Sequence, residues 1–194
     1  MQYRRLGKSG VQVSVLSFGS WITFGNQIED NVSRDLMHYA YDKGVNFFDT
    51  AEMYSVPGRK ETYGSTEKII GTWFKKTGNR GKVILASKIA GPNPGLSYIR
   101  EDMDFSPASI ALSIEKSLSR LQTDYIDLYQ LHWPERKTNF FGQRGFKVQN
   151  DAWEDNIHNV LETLDTFIKA GKIKNIGLSN ETPWGIMRFL EESK

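Results

Sequence analysis

The order of strand-like and helical segments constrains this chain more than any single residue does. Five apolar runs, at 15–21, 45–51, 82–90, 124–133 and 173–180, are each followed by a segment whose apolar residues recur at helical spacing. Strands linked in this way are parallel, because a parallel neighbour needs a crossover and the helix supplies it. Only the opening breaks the rhythm: residues 2–14 read as a hairpin, with YRRLG and VQVSV on either side of a Lys8, Ser9, Gly10 turn.

Helix boundaries are written in the residue types. Across residues 106–121, Ser106 is placed to cap, Pro107 suits the first turn, and Ile110, Ile114, Leu118 and Leu121 form one apolar stripe. A second helix is expected over 151–170, with Ile157, Val160, Leu161, Leu164 and Ile168 on its buried side and Gly171 as its C′ residue. Gly44 and Gly78 end two more, and a last helix opens with Thr182 as cap and Pro183 in its first turn. Connections from helix to strand are short, whereas those from strand to helix at 52–64, 91–105 and 134–151 are long. One face of the sheet, at the C-terminal ends of its strands, has therefore been elaborated. Both a barrel and a doubly wound sheet carry their active sites there.

With 194 residues the chain suits one domain. Its 25 basic and 23 acidic residues are scattered, so neither a nucleic acid nor a membrane surface is expected as a partner. The absence of cysteine removes thiolate chemistry and sulfur-ligated zinc, and a reducing cytoplasm is the expected location. The acidic group Glu101, Asp102 and Asp104 has no spaced histidine and reads as a solvated loop, so no metal is expected. His38 and His158 fall within helical patterns, away from the strand ends.

Three polar residues stand where packing alone would favour apolar ones. Asp49 follows VNFF, Lys88 interrupts VILASKIA, and His132 closes IDLYQL. Singly, each has an ordinary explanation as a loop cap, a snorkelling lysine or a satisfied core imidazole. Jointly, an acid, a base and an imidazole at the same end of successive parallel strands converge on one pocket, with Tyr54 five residues beyond Asp49. Delivering a hydride to a carbonyl leaves charge on its oxygen, which calls for a proton donor and electrostatic support. Tyr54 is the best donor in view. Lys88 would favour its ionised form, Asp49 would keep Lys88 charged, and His132 would orient the carbonyl. Lys88 as a Schiff-base nucleophile is the competing reading.

The stretches FDTAEMY, ASK, LQTDYIDLYQLHW and GLSN fall in the order and spacing of the aldo/keto reductases, which this chain resembles over nearly its whole length. The opening GSWITFGNQ and the segment HWPERKTNFFGQRG are similar to the branch holding bacterial Tas-like reductases and the potassium-channel β subunits. The resemblance implies a (β/α)₈ barrel and NADPH-dependent reduction of aldehydes or ketones. It also implies Tyr54 as general acid, tuned by Lys88 and Asp49, with His132 positioning the carbonyl. Ser20, Trp21 and Gln27 would border the cofactor beside Asp49, Ser179 and Asn180 would hold the nicotinamide amide, and Trp21 and Trp133 would wall the substrate pocket together with Tyr54 and His132. The absence of a GxGxxG turn agrees with a dinucleotide laid across a barrel mouth.

A closed barrel takes about 250 residues, and five βα units are counted here, so the chain is expected to hold about five of the eight. The family's glutamine beneath the nicotinamide, its stacking aromatic and its 2′-phosphate loop have no counterparts in these residues. An open five-stranded sheet would expose edges and apolar side chains, and association with a second copy is the expectation for a stably folded sample. Two other functions follow from the same resemblance: a nucleotide-binding regulatory subunit like the channel β proteins, which carry asparagine where this chain has His132, and an inert fragment.

Overall fold

A computed structural model of the chain describes residues 1–145 and 152–194. The opening hairpin pairs β1 (Tyr3–Arg5) with β2 (Gln12–Ser14) antiparallel, Tyr3 facing Ser14. A parallel sheet follows, built from β3 (Phe18–Gly19), β4 (Phe47–Asp49), β5 (Ile84–Ile89), β6 (Leu128–Leu131) and β7 (Ile176–Leu178). Between and after the strands run α1 (Asp30–Asp42), α2 (Ser65–Thr77), α3 (Pro107–Leu121), α4 (Ile157–Lys169) and α5 (Pro183–Glu192).

Strand order decides between the two architectures left open above. The sheet runs β3-β4-β5-β6-β7, each strand beside its predecessor in sequence. A doubly wound sheet reverses direction at a switch point, and this one never does. Successive helices also pack on one another, α1 on α2, α2 on α3, α3 on α4 and α4 on α5. The fold is α/β, with five consecutive units of a (β/α)-barrel.

The core lies between sheet and helices. Phe48, Leu85 and Tyr129 from the strands, with Ile126 just before β6, meet Met37, Ile70, Trp73, Ile110, Ile114 and Leu121 from the helices. Both expected caps form: Ser106 Oγ accepts from Ser109 N at 3.3 Å and Thr182 Oγ1 from Gly185 N at 3.2 Å. Gly44, Gly78 and Gly171 all take positive φ at helix ends, where a side chain would be strained. Gly71 serves packing instead, since a Cβ there would lie 2.3 Å from Arg120 O on α3.

Every strand is shorter than the apolar run expected for it, and at α4 and β3 the difference has a local cause. α4 begins at Ile157, not near 151: Asp155 accepts from Ile157 N at 3.2 Å and so opens the helix there, while Asp151 lies outside the described residues. β3 is confined to Phe18–Gly19 rather than 15–21. Val15 N instead extends the hairpin by donating to Gln2 O, and Ser14 Oγ turns onto Leu16 O at 2.6 Å, so the parallel ladder starts late.

Candidate active site

The parallel register sets the polar residues side by side. Asp49 ends β4, Lys88 lies opposite Gln130 on β6, and His132 follows β6 by one residue. Lys88 Nζ donates to Asp49 Oδ1 at 2.6 Å and to Thr50 O at 2.8 Å. Gln130 Nε2 reaches the other oxygen of Asp49 at 3.4 Å. Tyr54, on the loop after β4, brings its hydroxyl to 3.3 Å from His132 Nε2, and the two rings meet edge to face. These side chains form the floor of a cleft of about 830 Å³, also lined by Trp21, Met53, Leu96, Trp133, Phe141, Ser179 and Asn180. A mostly apolar wall with a few convergent polar groups is the usual character of a small-molecule site.

Burial governs the titration of the floor. His132 is depressed to about 3, first by desolvation and then by the Lys88 charge. Its Nδ1 is buried with no hydrogen-bond partner among the described residues, which favours the neutral tautomer protonated on Nε2, since a bare lone pair is then all that is left unpaired. Lys88 is lowered by desolvation, opposed by Asp49. Tyr54 is raised, by burial first and by Asp49 second. The expectation that Lys88 would lower Tyr54 is thus corrected. Burial and the Asp49 carboxylate outweigh Lys88, whose ammonium is itself paired with Asp49 and stands 5.1 Å from the centroid of the Tyr54 ring.

A stability prediction follows from His132. Its folded pKa lies below the unfolded value, so the unfolded chain takes up the proton first and stability falls with pH beneath about 6.5. Acidifying from about pH 6.5 to about pH 5 should cost about 2 kcal/mol at one pKa unit per ~1.4 kcal/mol. Urea melts at the two pH values check this, and His132→Asn should lose the difference. An equal acid sensitivity in the variant would assign it to other groups.

The cleft gathers most of the residues singled out from the sequence, with two exceptions. Ser20 is buried beneath the floor, its N–H and Oγ both donating to Asp49 O, at 3.1 and 3.2 Å. Gln27 is exposed in the loop before α1 and does not line the cleft. Asn180, at a φ of 55°, turns its Nδ2 onto His132 O at 2.9 Å, bracing the histidine backbone while its side chain still borders the cleft. Gln130 and Asn93 were not anticipated. Gln130 was within reach, because strand side chains alternate and Gln130 shares the face of His132 two residues on.

Trp133 stacks on Phe140 and meets Phe141 edge-on, so the loop after β6 contributes an aromatic wall. The indole sits against the chain at Gly91, where a Cβ would lie 2.6 Å from Trp133 Nε1. Arg136 pins the same loop to the start of α5 by bonding Glu181 and, at 2.9 Å, Thr182 Oγ1. Among the described residues, no group of three or more His, Asp or Glu side chains is placed to hold a metal ion, and no helix is long and apolar enough to cross a membrane.

Comparison with known proteins agrees with this fold. The chain is 44% identical over 191 residues to protein tas of Escherichia coli and 35% identical over 199 residues to the uncharacterized oxidoreductase YrpG of Bacillus subtilis. These alignments cover 98% and 100% of the chain but 55% and 54% of the two relatives, so it spans about half the length of the curated proteins it matches. A probable voltage-gated potassium channel subunit beta from Arabidopsis thaliana is 38% identical over 139 residues, 71% of this chain and 39% of that one. Among solved structures, the holo form of an aldo-keto reductase from Bacillus halodurans superposes with a TM-score of 0.73 at 30% identity, covering 99% of this chain and 54% of its own. The model of the aldo/keto reductase family matches residues 15–194, and with the strand order and the polar floor already described, the chain belongs to that family.

Proposed function

We propose that the chain takes part in NADPH-dependent reduction of aldehydes or ketones to alcohols, with Tyr54 as the general acid. The observation that carries the reading is the contact between the Tyr54 hydroxyl and His132 Nε2, beside the Lys88–Asp49 ion pair at the base of an apolar cleft. Small-molecule pockets commonly enclose about 300–1,000 Å³, so a cleft of about 830 Å³ leaves room for a nicotinamide next to a carbonyl compound. The donor set fits that group: Ser179 and Asn180 border the cleft with a hydroxyl and an amide suited to a carboxamide, and Trp21 offers a half-exposed indole at the rim. The preference for NADPH over NADH rests on the family resemblance.

The bound cofactor supplies the hydride that reduces the carbonyl carbon. Tyr54 donates its proton to the carbonyl oxygen as negative charge gathers there, and the product is the alcohol. Because burial and Asp49 raise Tyr54, the hydroxyl is fully protonated at neutral pH and ready to donate. Transfer then depends on stabilising the phenolate, for which the Lys88 ammonium near the ring face and the Nε2–H of neutral His132 are at hand. Asp49 and Thr50 O hold Lys88 in place. Trp133, Phe141, Met53 and Leu96 shield the reacting carbonyl from water and favour apolar substituents on it.

Absence of cysteine supports a cytoplasmic setting. We also propose self-association, supported by the apolar side chains that α1 and α5 leave exposed, Leu36 and Tyr39 on one and Met187 and Leu190 on the other. Sedimentation is expected to show a dimer or larger; a monomer at micromolar concentration would count against it. The function itself is tested by mixing chain, NADPH and a panel of aromatic and aliphatic aldehydes and following the reduced-nicotinamide absorbance. Carbonyl-dependent loss of that absorbance is expected. Its absence in a sample that still binds NADPH would remove the reductase reading.

A further inference from the structure

Glu52 lies two residues before Tyr54, is 1% exposed, and does not line the cleft. A carboxylate so buried must have all its oxygens engaged, and its partners trace how the Tyr54 loop is held. After β4 the chain continues beside β5 as a ladder: Thr50 N donates to Ala86 O at 3.0 Å and Glu52 N to Lys88 O at 3.2 Å. The next step of that ladder would satisfy Ala90 N with a main-chain carbonyl. Here the backbone turns away instead, with Tyr54 N bonding back to Ala51 O, and the carboxylate takes over as acceptor, Glu52 Oε1 receiving Ala90 N at 2.6 Å.

Arg100 completes the substitution. Its Nη1 donates to Glu52 Oε1 and its Nη2 to Ala90 O, each at 2.5 Å, so the ion pair meets both the N–H and the C=O of Ala90. The other oxygen, Oε2, accepts from Ser113 Oγ of α3 at 2.6 Å, and that hydroxyl also meets Tyr129 of β6 at 2.7 Å. One carboxylate thereby ties the Tyr54 loop to Ala90, the residue that follows β5, to α3, and through Ser113 to the strand that leads to His132.

We infer that Glu52, with Arg100 as its counter-charge, is a positioning residue: it replaces a missing strand partner at Ala90 and so lets the chain turn and hold the Tyr54 hydroxyl against His132 and its ring over Lys88. The inference rests on the reductase reading for its kinetic consequence and on geometry alone for its structural one. A catalytic group displaced by about 1 Å can cost about a hundredfold in rate. The neutral pair Glu52→Gln with Arg100→Gln leaves no lone buried charge, and the single Glu52→Gln keeps an acceptor for Ala90 N.

Two readouts separate the inference from the reading beneath it. The first is the imidazole NMR signal of buried His132, assigned by its disappearance in His132→Asn and so told apart from those of the exposed His38 and His158. Tyr54→Phe marks the shift that loss of the hydroxyl produces, and both Glu52 variants are expected to move the signal the same way while His38 and His158 stay put. The second is steady-state kinetics with NADPH: kcat should fall about a hundredfold in the double variant, less in Glu52→Gln, with KM and cofactor affinity nearly unchanged. A folded double variant whose His132 signal stays at the wild-type position overturns the inference, even if the wild-type chain proves inactive. A signal that moves in an inactive wild-type background upholds the positioning role and sinks only the reductase reading.

Discussion

Replacing Tyr54 by phenylalanine is expected to lower carbonyl reduction by about 10²–10⁴-fold, the range that a positioned general acid contributes, while leaving NADPH binding nearly unchanged. The substitution removes one oxygen and keeps the ring that packs edge-on against His132 and faces Lys88. It also leaves His132 Nε2 without its partner, at a cost of about 1–3 kcal/mol in stability, so a melt must accompany the kinetics. The effect should fall on kcat, because the proton is needed as charge develops on the carbonyl oxygen and not when the substrate first binds. A Tyr54→Phe chain with undiminished kcat would take Tyr54 out of its role and turn attention to His132 or a bound water as donor.

The second large effect is on folding. Glu67 on α2 is fully buried between β5 and α3, accepting from Ser87 Oγ and from Arg120 Nε, both at 2.6 Å. Truncating one partner of a buried ion pair strands the other in a low-dielectric interior and typically costs about 3–5 kcal/mol. Glu67→Ala should lose that much, because Arg120 is itself largely buried and its remaining side-chain bond is to Ser117 Oγ. Glu67→Gln, which keeps an acceptor for the guanidinium, should lose clearly less. Urea denaturation gives both numbers, and a Glu67→Ala midpoint equal to wild type would mean that water reaches Arg120 when the carboxylate is gone.

Local chemistry made much of this molecule legible in its sequence. Ser106 and Thr182 cap where the residue types said they would, because a cap is a contact across three residues. The polar residues at strand ends could be read for a related reason: side-chain alternation along a strand and the shared polarity of parallel strands bring Asp49, Lys88 and His132 to one end without any knowledge of pairing. Strand order was legible only through the family resemblance, since the same alternation of strands and helices suits a sheet that reverses and one that does not. Only the contacts of β3 with β4 through to β7 decide it. Ladder extent was overread at 15–21 because apolar runs do not reveal where hydrogen bonding begins.

What escaped the sequence is chiefly polar and long-range. Glu52 sits inside FDTAEMY and looks like any loop carboxylate, while its partner Arg100 is 48 positions away. Serines 113 and 117 interrupt the apolar face of α3, and their reason appears only when Glu52 and Arg120 come to meet them. The direction of the Tyr54 shift is hidden from the sequence as well. The sequence pairs Lys88 with Asp49, but it does not reveal that burial and that same carboxylate outweigh the ammonium at the Tyr54 hydroxyl.

The most direct test of the central claim uses NADPH carrying deuterium at the transferable position of its nicotinamide, incubated with the chain and an aromatic aldehyde, with the alcohol recovered for mass spectrometry. The account predicts a product with deuterium on the former carbonyl carbon, formed by the wild-type chain and almost lost with Tyr54→Phe. Alcohol without the label, or equal labelling by the Tyr54→Phe chain, would contradict it.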